Sequence, residues 1–221
     1  MRKNIVQSIE QHASGRRKIN NDWYQHDVPA CITASDEVFI SSGYAFDGVA
    51  DADGTRILLG GGTGLYDQAS IVSSTGANVQ VGECNILNGV TIVCRQSVTI
   101  GSYCMMSWGS VITDCWTPET VSFSQRLALL KEAGRSNRRG MPMVSPGDPV
   151  AIEDNVWIGF GAIVLPGTVI GRGAVIGSKS VVSGVIPAYS VVVGNPFRVI
   201  RTLSPTDTEE VRLRAMQIHN T

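Results

Sequence analysis

The sequence predicts an all-β fold in which the chain winds into a parallel β-helix, and two regularities between residues 150 and 201 carry that prediction. The first is an aliphatic residue at every sixth position, at Ile152, Ile158, Val164, Ile170, Ile176 and Val182. The second is a small or β-branched residue four positions later, at Val156, Ala162, Thr168, Ala174 and Ser180. A period of six fits neither a helix nor an alternating strand, but it is typical of hexapeptides that each supply one short strand and one corner.

The chain that precedes the coil is predicted to be irregular. Residues 1–57 would begin with a helix over residues 1–20, in which Ile5, Val6 and Ile9 form an apolar stripe. Short strands and loops would follow this helix.

The coil is predicted to span residues 58–203. Six-residue spacing also occurs before residue 150, at Leu59, Leu65, Ile71, Val81, Leu87, Val93, Ile100, Met106 and Ile112. Its phase shifts along the chain, which indicates insertions at corners, where β-helices accept them.

A long loop is expected to interrupt the coil over residues 115–149. Four prolines break regular structure there, at Pro118, Pro142, Pro146 and Pro149. Between them, residues 122–134 read as a short helix that Ser122 or Ser124 can cap. A second helix is predicted over residues 204–221, because Ser204 suits the N-cap and Pro205 the first helical position.

Composition argues against several classes of function. The chain has 221 residues and a formal net charge of −1, which gives no reason to expect nucleic-acid binding. No apolar run approaches the ~18 residues of a membrane span, and the N-terminus lacks the apolar stretch of a secretory signal. Five cysteines without such a signal predict reduced thiols and a cytoplasmic location. No metal is expected, because His12, His26 and His219 lie outside the coil and the DADG sequence at 51–54 lacks the other ligands of a calcium loop.

Three segments carry a family resemblance: NVWIG at 155–159, VIP at 185–187 and GNPFRVIR at 194–201. With the repeats between them they resemble the left-handed β-helix, hexapeptide-repeat acyltransferases, most closely the sugar and antibiotic O-acetyltransferase branch. The resemblance implies a left-handed coil, a homotrimer, and transfer of an acetyl or other acyl group from CoA. The implied acceptor is a sugar, a nucleotide-linked sugar or a similar small hydroxyl or amino compound, in surface polysaccharide, lipopolysaccharide or antibiotic metabolism.

The resemblance also implies where the co-substrate, acetyl-CoA or another acyl-CoA, binds. Its pantetheine arm would follow two stretches of coil and its phosphates would meet cations, the implied residues being Trp157, Gly159, Gly161, Ala162, Ala174, Gly177, Ser178, Lys179, Arg198 and Arg201. Small residues let such an arm approach the backbone, although corner geometry alone also accounts for each glycine. The basic run of Arg135, Arg138 and Arg139 is either a further phosphate contact or a solvated charge cluster.

In the resembled family a histidine follows the coil segment that ends here in SVITD, and its imidazole takes the proton from the acceptor. This chain reads ITDCWTPE at 112–119 and has no histidine between His26 and His219. Trp116 cannot act as a base, and Cys115 would need a depressed thiol pKa.

Three residues are therefore candidates for the catalytic base. Asp114 lies at the expected turn, His26 lies in the polar and aromatic segment 22–27, and Glu119 lies five residues beyond Asp114. The alternative roles are a turn cap for Asp114 and an ordinary surface position for His26.

Two classes of function remain open. One is an acyl-CoA-dependent transferase, and the other is a non-catalytic relative that keeps the coil as a binding or assembly scaffold. A rise in melting temperature with acetyl-CoA would favour the first, because a ligand that binds only the native state stabilises it.

Overall fold

Short strands wind into a three-sided parallel β-helix in the computed structural model, which describes residues 9–11, 17–35, 37–115, 122–135 and 146–219. Three parallel sheets form the faces of a prism, and the chain visits them in turn. Within the described ranges no helix has the length and apolar character that crossing a bilayer requires.

The strands of each sheet recur once per turn of the coil. The first sheet comprises β3 (Ile32–Ala34), β5 (Arg56–Leu59), β8 (Asn78–Val81), β11 (Ser97–Ile100), β14 (Val150–Ile152), β17 (Val169–Ile170) and β20 (Val185–Ile186). The second comprises β4 (Phe39–Ile40), β6 (Gly64–Tyr66), β9 (Ile86–Asn88), β12 (Met105–Met106), β15 (Trp157–Ile158), β18 (Val175–Ile176) and β21 (Ser190–Gly194). A last strand, β22 (Phe197–Thr202), follows the coil and pairs antiparallel with β21 at the edge of this sheet. The third comprises β7 (Ser70–Ser73), β10 (Thr91–Cys94), β13 (Val111–Thr113), β16 (Ile163–Val164) and β19 (Val181–Val182).

Successive coils stack in a register of eighteen residues, since Ile152 pairs with Ile170 and Ile158 with Ile176. Three hexapeptides therefore complete one turn, and each supplies a strand to one face. The aliphatic residue of each hexapeptide points into the prism, where Ile158, Ile170 and Ile176 are at most 1% exposed. Burial of each such side chain contributes roughly 1.5–3 kcal/mol. The predicted all-β coil of hexapeptides is confirmed.

Three corners join the faces. The first corner leads from the first sheet to the second, as at residues 153–156, and the second corner leads from the second sheet to the third, as at residues 159–162. The third corner returns the chain to the first sheet, as at residues 165–168. Because the coils are in register, equivalent corner residues form columns that run along the three edges of the prism.

The N-terminal helix predicted over residues 1–20 is wrong in its described part. Strands β1 (Ile9–Gln11) and β2 (Arg17–Ile19) pair antiparallel there. Ile19 is buried in the core, and the Arg17 guanidinium donates hydrogen bonds to the carbonyl oxygens of Pro29 (3.1 Å) and Ile32 (2.8 Å). These tertiary contacts to the first coil override the local helical pattern.

The coil also begins earlier than the predicted residue 58. Strand β3 pairs with β5 and β4 with β6, so a complete first coil starts at Ile32. A 3-10 turn at Gly43–Phe46 takes the place of a regular corner, and Phe46 fills the core in place of the usual aliphatic residue. The spacing of six between Ile40 and Phe46 was the available signal for this coil.

The interruption of the coil lies between β13, which ends at Thr113, and β14, which begins at Val150. The helix predicted inside it is present as α1 (Phe123–Arg135), and the Ser122 hydroxyl accepts a hydrogen bond from the Gln125 amide (3.3 Å). The C-terminal helix α2 (Glu209–His219) begins at Glu209 rather than at residue 204.

An ion-pair network explains this later start and fastens α2 to the first corner. Arg212 donates to the carboxylates of Asp207 (2.9 Å) and Asp154 (3.4 Å), and Asp154 also binds Arg172 (3.1 Å). The Tyr189 hydroxyl donates to Asp207 at 2.8 Å, which holds the residues before α2 against the coil. Burial raises the pKa of Asp207, but the bonds from Arg212 and Tyr189 outweigh it and lower that pKa below its ordinary value.

Candidate functional site

The residues of the implied CoA signature meet at the second corner of two adjacent coils. The Gly159 amide donates to the Ile176 carbonyl oxygen (2.8 Å), and the Lys179 amide donates to that of Phe160 (2.7 Å). Trp157 lies on the outer surface of β15, with 49% of its surface exposed. The structure therefore brings the first signature stretch, residues 157–162, beside the second, residues 174–179.

Two members of the signature do not face outward. The side chains of Ala162 and Ala174 lie inside the prism and are fully buried. Ala174 also belongs to the first corner, where its carbonyl oxygen accepts from the Trp157 amide at 3.0 Å. Both alanines therefore pack the core, and their backbone groups are already hydrogen-bonded within the coil, so neither alanine offers a contact to a ligand.

The glycines of the signature are required by the packing of one coil on the next. A Cβ atom at Gly159 would lie 2.7 Å from the Ser178 amide nitrogen, and one at Gly177 would lie 2.7 Å from Val193 Cγ1. Gly161 has a φ of 58°, in the left-handed region that favours glycine. Corner geometry thus accounts for these three positions.

The signature's cations lie towards the C-terminal end of the same face. Lys179 stands at the second corner with a φ of 62°, and Arg198 and Arg201 are exposed on β22. None of the three forms an ion pair within the ranges that the structure describes. Their charges are accordingly available to an anionic ligand.

Two aromatic residues at the second corner were not among the site residues predicted from the sequence. Trp108 and Phe160 stack with their ring centroids 5.4 Å apart and their planes at 13°, and about half of each side chain is exposed. The Trp108 indole N–H also donates to Asp67 Oδ2 at 3.0 Å. Stacking of the coils brings these three residues together, although Asp67 and Phe160 are far apart in sequence.

One side-chain oxygen next to the second corner is buried without a hydrogen-bond partner. The Oδ1 atom of Asn88, the last residue of β9, is buried and has no hydrogen-bond partner in the described part of the chain. Burying such an oxygen without a partner is costly. Asn88 adjoins Gly89, at the second corner of its coil, so the unsatisfied acceptor lies at the edge that carries the signature.

Asp114 lies at the third corner, and its side chain is fully buried. Its carboxylate accepts hydrogen bonds from the amides of Arg95 (2.6 Å), Gln96 (2.7 Å) and Ser97 (2.8 Å). Three charge-assisted bonds to one carboxylate fix the corner of the preceding coil. This geometry matches the turn-cap alternative and presents no carboxylate surface to an acceptor.

Cys115 is also poorly placed to act as a base. Its side chain is buried, and burial raises the pKa of its thiol, with the charge of Asp114 adding to the rise. A raised thiol pKa keeps the sulfur protonated near neutral pH, and the protonated form is not the reactive one.

His26 is exposed, and its ring stacks on Tyr24 at 4.6 Å between centroids. Tyr24 packs edge-on against Tyr44 of the 3-10 turn (5.6 Å), which places His26 near the second corner of the first coil. Glu119 lies outside the described residues, as do Arg138 and Arg139.

The candidate base and the implied CoA residues therefore lie on different edges of one chain. Asp114 is at the third corner, whereas residues 157–162 are at the second, and a strand of the third sheet separates the two corners in each coil. Of the described candidates for the base, only His26 lies near the edge that carries the signature.

Replacing Asp114 by Asn should destabilise the fold. The neutral side chain would turn its own N–H donors toward backbone amides that need an acceptor, at a cost of about 2–3 kcal/mol. Urea unfolding at fixed protein concentration measures this loss, and Asp53→Asn in an exposed turn is the matched control. An Asp114→Asn variant as stable as the parent would contradict the capping role.

Comparison with known proteins agrees with this architecture. Residues 149–184 match the family model described as bacterial transferase hexapeptide (six repeats). A Schizosaccharomyces pombe protein named "Putative acetyltransferase" is 53% identical over 57 residues, which are 26% of this chain and 28% of that protein. The match therefore spans little more than a quarter of that relative's length.

Two solved structures share the fold over most of the chain. The N-acyltransferase AntD of Bacillus cereus, in complex with dTDP and coenzyme A, is 15% identical with a TM-score of 0.53, over 87% of this chain and 91% of that chain. The polySia-specific acetyltransferase NeuO is 18% identical with a TM-score of 0.53, over 86% of this chain and 83% of that chain. The chain thus has the left-handed parallel β-helix fold built from hexapeptides, and its residues 149–184 are similar to the hexapeptide repeats of bacterial transferases.

Proposed function

We propose that the protein transfers an acetyl or other acyl group from CoA to a sugar or a similar small hydroxyl or amino compound. The observation that carries the proposal is the second corner, where two signature stretches stack beside cations that have no ion-pair partner in the described chain. The acetyltransferase name of the matched yeast protein and the coenzyme A in the AntD complex support it. Metabolism of surface polysaccharide, lipopolysaccharide or antibiotics is the proposed setting.

The residues at this edge suit the parts of CoA. Lys179, Arg198 and Arg201 would hold phosphates through charge-assisted hydrogen bonds. The exposed ring of Trp157 offers apolar surface to the pantetheine arm. Bound acyl-CoA supplies an activated thioester, and the protein aligns it with the acceptor.

Proton transfer in this proposal falls to His26 or Glu119, because the Asp114 carboxylate is occupied by the third corner. An imidazole is the usual proton acceptor near neutral pH. His26 is favoured because its ring lies near the second corner, at the N-terminal end of the prism.

A non-catalytic scaffold is the second candidate, and one observation favours it. The turn where the resembled family carries its histidine is here a structural cap, Asp114, followed by a buried thiol, Cys115. Binding of acetyl-CoA distinguishes the two functions, since a scaffold has no need of the cations at the second corner.

The compartment is proposed to be the cytoplasm. All five cysteines are free thiols, and Cys94, Cys104 and Cys115 are buried. A chain that keeps every thiol unpaired suits a reducing environment.

Replacing Arg198 by Ala should weaken CoA binding about three- to tenfold. The reason is the loss of one exposed contact to a phosphate, which contributes about 1 kcal/mol to binding. Stability should change little, because Arg198 is exposed. Isothermal titration calorimetry measures the affinity, and Arg56→Ala, an exposed arginine on β5, is the control. Equal affinity in both variants would refute the placement, and no binding of CoA by the parent would favour the scaffold.

We also propose that the chain forms a homotrimer with threefold symmetry. The outer surface of the second sheet carries exposed apolar side chains on four successive coils, namely Tyr66, Ile86, Met105 and Trp157. Contiguous apolar surface of this kind is typical of an interface. A closed ring of three copies would bury this face of every copy.

The trimer predicts a mass near 71 kDa in sedimentation equilibrium, three times the chain mass of 23.6 kDa. Ile86→Glu should shift this mass toward the monomer, because it places a charge in the proposed interface. Val185→Glu, at a 75% exposed position on the first sheet, should leave it unchanged. A parent that sediments as a monomer at micromolar concentration, or a trimer that only Val185→Glu dissociates, would contradict the proposal.

A further inference from the structure

A pocket of about 280 Å³ opens near the second corner, between the first two coils. It is lined by Trp23, Ser41, Ser42, Tyr44, Asp67 and Gln68, among others. None of these residues belongs to the implied CoA signature, so the pocket is a separate feature of the same edge.

One wall of the pocket is aromatic. Trp23 is 71% exposed, and its ring lies 5.9 Å from that of Tyr44 at an interplanar angle of 31°. The buried carboxylate of Asp22 accepts from the amides of Tyr24 (3.1 Å) and Gly43 (2.5 Å), which ties the tryptophan's segment to the 3-10 turn. A large ring is thus held at the surface instead of being buried, and its apolar face is already positioned.

The opposite wall is polar and its backbone is strained. Asp67 and Gln68 are consecutive non-glycine residues in the left-handed region, with φ values of 44° and 63°. The same left-handed conformation recurs at the second corner of later coils, as at Gly161 and Lys179, so the corner geometry imposes it here on two residues other than glycine. The Trp108 indole N–H fixes Asp67 Oδ2, so the carboxylate is held in place at the mouth of the pocket.

A glycine makes this arrangement possible. Gly89 lies on the coil between those of Asp67 and Trp108, and a Cβ atom there would be 2.8 Å from Trp108 Cδ1. The indole passes over Gly89 to reach Asp67. The polar wall of the pocket is therefore supported by the same rings that form the second corner beside the signature.

We propose that this pocket binds the acceptor of the proposed transfer reaction, on which the inference rests, and that the acceptor is a neutral sugar ring. The flat apolar face of a sugar fits the exposed indole of Trp23, and its hydroxyl groups can donate to Asp67 and exchange hydrogen bonds with Gln68. The charge of Asp67 disfavours a phosphate in the pocket, and none of the described lining residues is a cation.

The position of the pocket agrees with this assignment. Asp67 and Phe160 occupy the same corner three coils apart, which is about 14 Å at the usual strand spacing. A donor held at Phe160 and Lys179 and a sugar held at Asp67 would therefore share one edge of the prism.

Saturation-transfer NMR with a panel of free hexoses, N-acetylhexosamines and their methyl glycosides tests the proposal on the full chain. At least one sugar should bind the parent. Trp23→Ala should reduce the affinity for that sugar tenfold or more, and Trp23→Phe should restore part of it. Gln68→Gly should also weaken binding, while its melting temperature equals or exceeds that of the parent, because glycine relieves the left-handed strain. Phe123→Ala, which removes an 80% exposed ring on α1, is the control and should bind like the parent.

Two results would overturn the pocket assignment: no sugar of the panel binds the parent, or the Trp23 and Gln68 variants bind as tightly as the parent. A separate thermal-shift titration with acetyl-CoA keeps the proposed function distinguishable. Sugar binding that is lost in the variants, together with no response to acetyl-CoA, would refute the acyl-CoA donor and leave the sugar site standing. A response to acetyl-CoA with unchanged sugar binding in the variants would refute the pocket alone.

Discussion

Each turn of the coil contains eighteen residues in its regular part, and each face of the turn contributes one inward aliphatic side chain. The core is therefore a column of stacked layers, in which Ile158 packs between the strands of the coils on either side. This register also determines the surface, because a residue at a given corner must lie above its equivalent in the next coil. Aligned columns of corner residues are a consequence of packing, and the chemistry of the protein depends on what those columns carry.

The three edges of the prism differ in the residues that they carry. At the first corner, Arg212 and Asp154 attach the C-terminal helix, so the chain itself contacts part of this edge. At the third corner, Asp114 saturates three backbone amides where the long insertion leaves the coil. The second corner instead carries stacked rings, unpaired cations in the described chain and a pocket. Among the described residues, exposed rings, cations without an ion-pair partner and a pocket occur together at this last edge.

Much of the fold was predictable from sequence because each inward-facing position of the coil requires an aliphatic residue, so the packing produces the six-residue period. The aliphatic positions from Ile152 to Val182 all lie in the core, and the helix inside the insertion was found from its apolar spacing and its serine cap. The first coil was not predicted, because a 3-10 turn replaces one regular corner and Phe46 replaces the usual aliphatic residue of a hexapeptide. The prediction of an N-terminal helix was wrong because Arg17 and Ile19 make tertiary contacts with the first coil. The local sequence pattern contains no information about those contacts.

The site was only partly predictable for a related reason. The two signature stretches do stack on adjacent coils, but a motif does not say which of its members face inward, so the prediction included Ala162 and Ala174, which are buried. Asp114 was predicted to be the catalytic base because of its position at the turn. At that position its carboxylate instead caps the backbone amides of residues 95–97. The Trp108–Asp67 contact joins residues forty-one positions apart, and sequence spacing alone gives no sign of it.

The central claim is that the second corner is the functional edge of the prism. A crystal structure of the protein with bound CoA tests it most directly. We expect CoA along residues 157–162 and 177–179, with its phosphates within hydrogen-bonding distance of Lys179 or Arg198. CoA held instead against the first corner beside Arg212, or at the third corner beside Asp114 with no contact to the second corner of any copy, would contradict it.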